Sequence, residues 1–179
     1  IVGGQAVGSE DPVARSTAYI ATNGQLGCTA TIVGPRQAVT AAHCFRGNGT
    51  QGMRLGFGSR VGQGQLQVTG FVVHPSWTGD GASNDIAVMA FTGNIPAGYG
   101  AAAIGSGVQR GQQVVVAGYG QTSENDRQSG GTLRSTTTSI ASLGRGEFTL
   151  AQDRKGTCYG DSGGPTYINS GNGYAVVGA

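Results

Sequence analysis

Polar and apolar positions alternate along this chain in short runs, each broken within about ten residues by glycine, asparagine or proline. Leu66 and Val68 stand between Gln65, Gln67 and Thr69, the period of two of a half-buried strand. Val114, Val115 and Val116 form an unbroken apolar run, as in a strand covered on both faces. The pattern predicts strands over Thr17–Thr22, Cys28–Val33, Gln37–Thr40, Met53–Phe57, Gln65–Val73, Ile86–Phe91, Gln112–Ala117, Thr132–Ile140, Thr166–Ile168 and Tyr174–Val177. Turn signals such as GNGT, TGDG and NSGNG separate them, and no segment carries a helical stripe. The expectation is an all-β chain, a sandwich or a barrel.

Composition narrows this. The 179 residues suit one domain, or two small lobes sharing a core. Glycine is abundant, at 35 residues, but follows no Gly-X-Y period. Charged residues make up 11% and the net charge is +2, with the arginines scattered, so no nucleic-acid partner is expected. No apolar run approaches the ~18–20 residues of a membrane span, so no membrane partner is expected either. The opening Ile1-Val2-Gly3-Gly4 lacks methionine and reads as a processed end, which points to a secreted protein. Cys28 and Cys44 could close a loop of about 15 residues, and Cys158 then has no mate; three free thiols are the alternative. No Cys/His grouping has zinc spacing. The run Gly52–Thr78 holds no acidic residue for calcium, and GFGSRVGQG and GYGQTS fail the dinucleotide fingerprint, so no metal or other cofactor is expected. Asn48-Gly49-Thr50 is a glycosylation sequon.

Few residues are left for chemistry. His74, before Pro75, reads as a surface loop residue. His43, in TAAHC, follows an apolar strand. Ser162 is walled in by glycines in GDSGGP, where backbone N–H groups can turn toward an oxyanion. A serine hydroxyl needs a base, and the base an orienting carboxylate. His43 is the candidate base and Asp85, in NDIAVM, the candidate carboxylate, followed by Ile86 and Val88 as expected buried positions. Taken alone, Asp85 after Asn84 is better explained as a turn or cap residue.

Five motifs then occur in a familiar order: IVGG at 1–4, TAAHC at 40–44, NDIAVM at 84–89, GYG at 118–120 and GDSGGP at 160–165. With them the whole chain resembles the chymotrypsin/trypsin family of serine proteases. The resemblance implies a single peptidase domain of two antiparallel β-barrels, one over about 12–95 and one over about 96–179 plus 1–11. It implies a triad of Ser162 as nucleophile, His43 as base and then acid, and Asp85 as orienter, acting on a peptide or protein substrate through an acyl-enzyme. The N–H groups of Gly160 and Ser162 would form the oxyanion hole, and Cys28–Cys44 a disulfide. An activating protease would cut a zymogen to free Ile1, whose amine would pair with Asp161.

The resemblance also puts Gly156, followed by Thr157, at the base of the primary specificity pocket. Glycine there argues against preference for Arg or Lys and for an apolar or small residue. Only seventeen residues follow Ser162, whereas in the family the chain continues for roughly fifty residues after the serine, into a pocket-lining strand and a helix. The second barrel is therefore expected to be incomplete, with the remainder, including a partner for Cys158, lost or carried on a separate C-terminal fragment. The competing readings are a catalytically inactive protease-fold binding protein or truncated fragment, and an esterase.

Overall fold

The computed structural model describes residues 1–179 apart from Asn48, Gln63, Gly81, Ala82, Asp153 and Asn172, so the sequon at Asn48 lies outside the described residues. The strands are β1 (Gln5–Ala6), β2 (Thr17–Thr22), β3 (Gln25–Gly34), β4 (Gln37–Thr40), β5 (Met53–Gly56), β6 (Leu66–Val73), β7 (Ala87–Thr92), β8 (Ala103–Ile104), β9 (Gln113–Gly118), β10 (Arg134–Leu143), β11 (Phe148–Leu150), β12 (Thr166–Asn169) and β13 (Tyr174–Gly178), with one 3-10 turn at Ala42–Phe45. β2 and β4 fall on the predicted bounds. β3 begins earlier, at Gln25, and β10 runs on to Leu143. β1, β8 and β11 were not predicted; with two or three residues each they are too short to display a period.

The first half of the chain closes into a barrel in the order β2-β3-β4-β7-β6-β5. Its interior is apolar, with Ile20, Ile32, Leu55, Val68, Met89 and Phe91 all buried. Each such side chain contributes about 1.5–3 kcal/mol by leaving water. Bulges at Gly27, opposite Ile20 and Ala21, and at Thr69, between Val68 and Gly70, bend β3 and β6, which helps the sheet curl onto itself. In β7 the inward residues are Ala87, Met89 and Phe91, so the expected burial of Ile86 and Val88 is wrong. They are 38% and 44% exposed, because the strand's register turns the odd positions inward.

The second half forms a sheet ordered β1-β10-β9-β12-β13-β8, with β11 paired to β10. Val114 and Val116 are buried in β9 and Val115 is half-buried, close to the doubly covered strand predicted. One pairing departs from the expected antiparallel barrel: β8 runs parallel to β13. Among the described strands β1 and β8 do not meet, and this second barrel is incomplete. Three buried tyrosines fill the seam between the halves. Tyr19 of β2 meets Tyr119 edge-to-face at 5.2 Å. The Tyr119 hydroxyl donates to the Gly58 carbonyl at 2.7 Å, and that of Tyr167 hydrogen-bonds Ser16 Oγ at 2.7 Å. No helix among the described residues is long and apolar enough to cross a membrane.

Candidate active site

Ile1 is buried, and its ammonium lies 2.8 Å from Asp161 Oδ2, with both groups sealed from solvent. The carbonyl of Gln121 takes a second ammonium proton at 3.1 Å. Asp161 accepts from the Gly120 N–H at 2.7 Å and from the Cys158 N–H at 2.9 Å. A buried carboxylate needs this set of partners, since an unpaired charge there would cost several kcal/mol. The GYG motif supplies the room. A Cβ on Gly120 would stand 2.5 Å from the Asp161 carboxyl carbon, inside any tolerable contact.

His43 sits in the 3-10 turn that follows β4. Its backbone N–H donates to Asp85 Oδ1 at 2.8 Å, and its Nδ1 lies 2.6 Å from Asp85 Oδ2. An ionised carboxylate only accepts, so Nδ1 carries the proton and Nε2 of the neutral ring keeps a free lone pair. The Asp85 side chain is 17% exposed and that of His43 36%. Asp85 is the middle of a three-residue turn closed by Ile86 N–H to Asn84 O at 2.8 Å. Asn84 takes a left-handed φ of 58°, and its N–H donates to Glu147 Oε1 at 2.9 Å, across from the β10–β11 hairpin. The Cys28–Cys44 disulfide ties the histidine turn to β3.

Ser162 is half-buried, in the loop before β12. Its carbonyl accepts the Thr29 N–H at 2.9 Å. Gly163 follows with φ +75°, and a Cβ there would reach within 2.5 Å of the Ala41 nitrogen and 2.8 Å of the Thr29 oxygen. Only glycine fits such a conformation and approach. The serine loop is thereby docked on Thr40 and Ala41, at the entrance to the histidine turn. The Ser162 backbone thus lies against the histidine turn, its carbonyl 3.9 Å from Cys44 Sγ, while among the described residues no hydrogen bond joins the Ser162 side chain to His43. Gly160 has φ +93°, and among the described residues neither its N–H nor that of Ser162 donates a hydrogen bond.

Gly156 pairs with Val2 through two backbone hydrogen bonds, N–H to O, of 2.9 and 3.2 Å, so the inserted chain start runs beside it. The Gln152 side chain lies 3.0–3.4 Å from where a Gly156 Cβ would be. Thr157 is exposed. His74 is an exposed turn residue whose Nδ1 accepts the Ser76 N–H at 3.1 Å, as the plain reading expects. Cys28, His43 and Cys44 bring possible metal-donor atoms within 4.8 Å of one another, but the two sulfurs are bonded to each other and Nδ1 is committed to Asp85. Such a group does not fit a metal ion.

The sequence reading missed Thr29, Thr40, Gln152 and Glu147. Thr29 and Thr40 are fully buried, and a hydroxyl inside an apolar strand was the available signal, because it must find a partner there. Glu147 carried no signal, standing in a polar hairpin far along the chain.

The family model described as Trypsin matches residues 1–179. The chain belongs to the trypsin family. Its members are serine endopeptidases, and this chain is one of them. It is 26% identical over 188 residues to a trypsin of Saccharopolyspora erythraea, covering 95% of this chain and 82% of that protein. It is 29% identical over 160 residues to brachyurin of Leptuca pugilator, covering 79% of this chain and 71% of that protein. The structure of mouse neuropsin, a serine protease expressed in the limbic system of the brain, superposes with a TM-score of 0.79 at 21% identity. That match covers 93% of this chain and 82% of neuropsin and shows the shared fold.

Proposed function

We propose that this trypsin-family chain is a secreted endopeptidase domain that cleaves peptide bonds with Ser162, His43 and Asp85. The observation that carries the reading is the double grip of Asp85 on the backbone and ring of His43, beside a serine loop docked on Thr40 and Ala41. Ser162 Oγ attacks the scissile carbonyl while His43 Nε2 takes its proton. The carbonyl oxygen, now negative, is received by the N–H groups of Gly160 and Ser162. The imidazolium, held by Asp85, returns the proton to the leaving amine, and water hydrolyses the acyl-enzyme by the same route. The Ile1–Asp161 pair holds the serine loop in this form, so cleavage by an activating protease to free Ile1 is its switch. Gly156 brings no charge to the base of the specificity pocket and favours apolar or small residues over Arg and Lys.

Fluorophosphonate labelling with mapping of the adduct tests this. An adduct on Ser162, absent in Ser162→Ala and at least ~10³-fold slower in His43→Ala, is expected. A wild-type chain that forms no adduct overturns the reading and leaves a peptide-binding scaffold. A peptide panel tests the pocket, and dominant cleavage after Arg would sink the proposed preference.

A further inference from the structure

Thr29 occupies an unusual position between the two halves. It belongs to β3 of the closed barrel, yet its polar atoms serve the serine loop. The hydroxyl donates to the Gly160 carbonyl at 2.8 Å and accepts the Tyr119 N–H at 3.2 Å. The backbone N–H donates to the Ser162 carbonyl at 2.9 Å. The backbone carbonyl accepts the Thr40 hydroxyl at 2.8 Å, three residues before His43. The residue is wholly buried, so no water can replace a partner that is removed.

We infer that Thr29 is a positioning residue for the oxyanion site, acting through its hydroxyl; the inference rests on the reading of Ser162 as nucleophile. The carbonyl of Gly160 and the N–H of Gly160 flank the same Cα, whose φ is +93°. Glycine has few steric limits, so this residue can rotate among several backbone states unless something holds it. The Thr29 hydroxyl holds the carbonyl on one side of Gly160 and the Thr29 N–H holds the carbonyl of Ser162. The Ser162 N–H lies between these two anchors and is fixed in direction by them. The Gly160 N–H shares its peptide with the Tyr159 carbonyl, held by the Gln121 N–H at 2.8 Å, and depends on Thr29 only through the rotation of Gly160 that the anchored carbonyl limits. Such donors help the transition state only when already aimed at the place where negative charge develops. The Tyr119 bond ties the same hydroxyl to the residue that directly follows β9, so the loop, the closed barrel and the end of an open-sheet strand meet at one oxygen.

The test is a comparison of Thr29→Val with Thr29→Ser in the full chain. Valine keeps the shape and removes the hydroxyl, whereas serine keeps the hydroxyl and loses a methyl. Thr29→Val is expected to lower kcat about 10–100-fold on a peptide substrate with KM within about twofold, as loss of an oxyanion aim should. Binding of a peptidyl boronate, which forms a tetrahedral adduct on Ser162, should weaken by the same factor, and Thr29→Ser should restore both. Wild-type kcat in Thr29→Val, a loss confined to KM, or a Thr29→Ser variant as impaired as the valine would each overturn the inference. If Thr29→Val does not fold, Thr29→Ala, which adds no bulk, is measured in its place. Labelling of wild-type Ser162 separates the two levels. Without an adduct the nucleophile reading fails, and with one but an unaffected Thr29→Val only the role of Thr29 fails.

Discussion

The two halves of this chain solve the same packing problem in different ways. In the first, β2 to β7 close on themselves, the core is apolar and a disulfide pins the one turn that carries His43. In the second, the sheet stops at β1 and β8, and the key loop is held by a buried ion pair with Ile1 and by hydrogen bonds from Thr29. One half keeps its shape by burial of its own strands. The other borrows order from a chain end and from its neighbour. Histidine and aspartate stand on the self-sufficient half and serine on the dependent one, so a disturbance of the serine loop should act without unfolding the barrel.

The largest test is Asp161→Asn. It leaves the Ile1 ammonium buried without a counter-charge, a change that costs about 3–5 kcal/mol when one partner of a buried pair is removed. Hydrogen exchange should rise in β9, β12 and the Ser162 loop and stay low in β2–β7, and labelling of Ser162 should collapse. Equal loss in both halves would break the comparison. Replacing Cys28 and Cys44 together with alanine addresses the closed half, and urea unfolding should show a loss of about 3 kcal/mol for a loop of this size. Faster exchange in β3 and the histidine turn, with the Gly120 N–H still protected, is the expected pattern.

The seam responds to alkali. Burial raises the Tyr119 phenol above its ordinary range, helped by neighbouring tyrosines. Burial also raises Tyr167, against the opposing hydrogen bonds from Ser16 and Thr17. The folded chain thus keeps protons that the unfolded chain gives up near pH ~10, so stability is full below that pH and declines as pH climbs above it. Tyr119→Phe should flatten the decline while costing about 1 kcal/mol at neutral pH through the orphaned Gly58 carbonyl. A thermal midpoint unchanged from pH ~8 to ~11 would count against this. Glu147→Ala should have the smallest effect, under ~1 kcal/mol for an exposed acceptor, read as a few-fold loss in kcat/KM from a looser Asp85 turn. Here Glu147→Gln, which retains the oxygen that accepts the Asn84 N–H, should behave as wild type.

What could be read in the sequence was what sits in contiguous words. TAAHC, GDSGGP and IVGG each carry their residues side by side, and the β-rich character followed from alternation in β6 and repeated turn signals. The inward face of β7 was misjudged because Ile86 and Val88 are apolar while small Ala87 looks neutral, and the register is set by pairing with β4 and β6. The parallel β8–β13 pair involves two residues of β8, far too few to leave a trace. Thr29 and Glu147 act on residues more than a hundred and about sixty positions away, and local propensity does not record such contacts.

The burial of Ile1 also bears on the order of events in time. The first residue of the chain finishes its contacts only when Gly120, Gln121 and Asp161 have arrived. Closing so long a loop is slow, and it yields nothing until both ends are in place. During refolding the barrel should therefore form early and a competent serine should emerge last. A circular dichroism signal from the strands will run ahead of the regain of Ser162 labelling, and the lag between them measures the time the chain takes to find its own beginning.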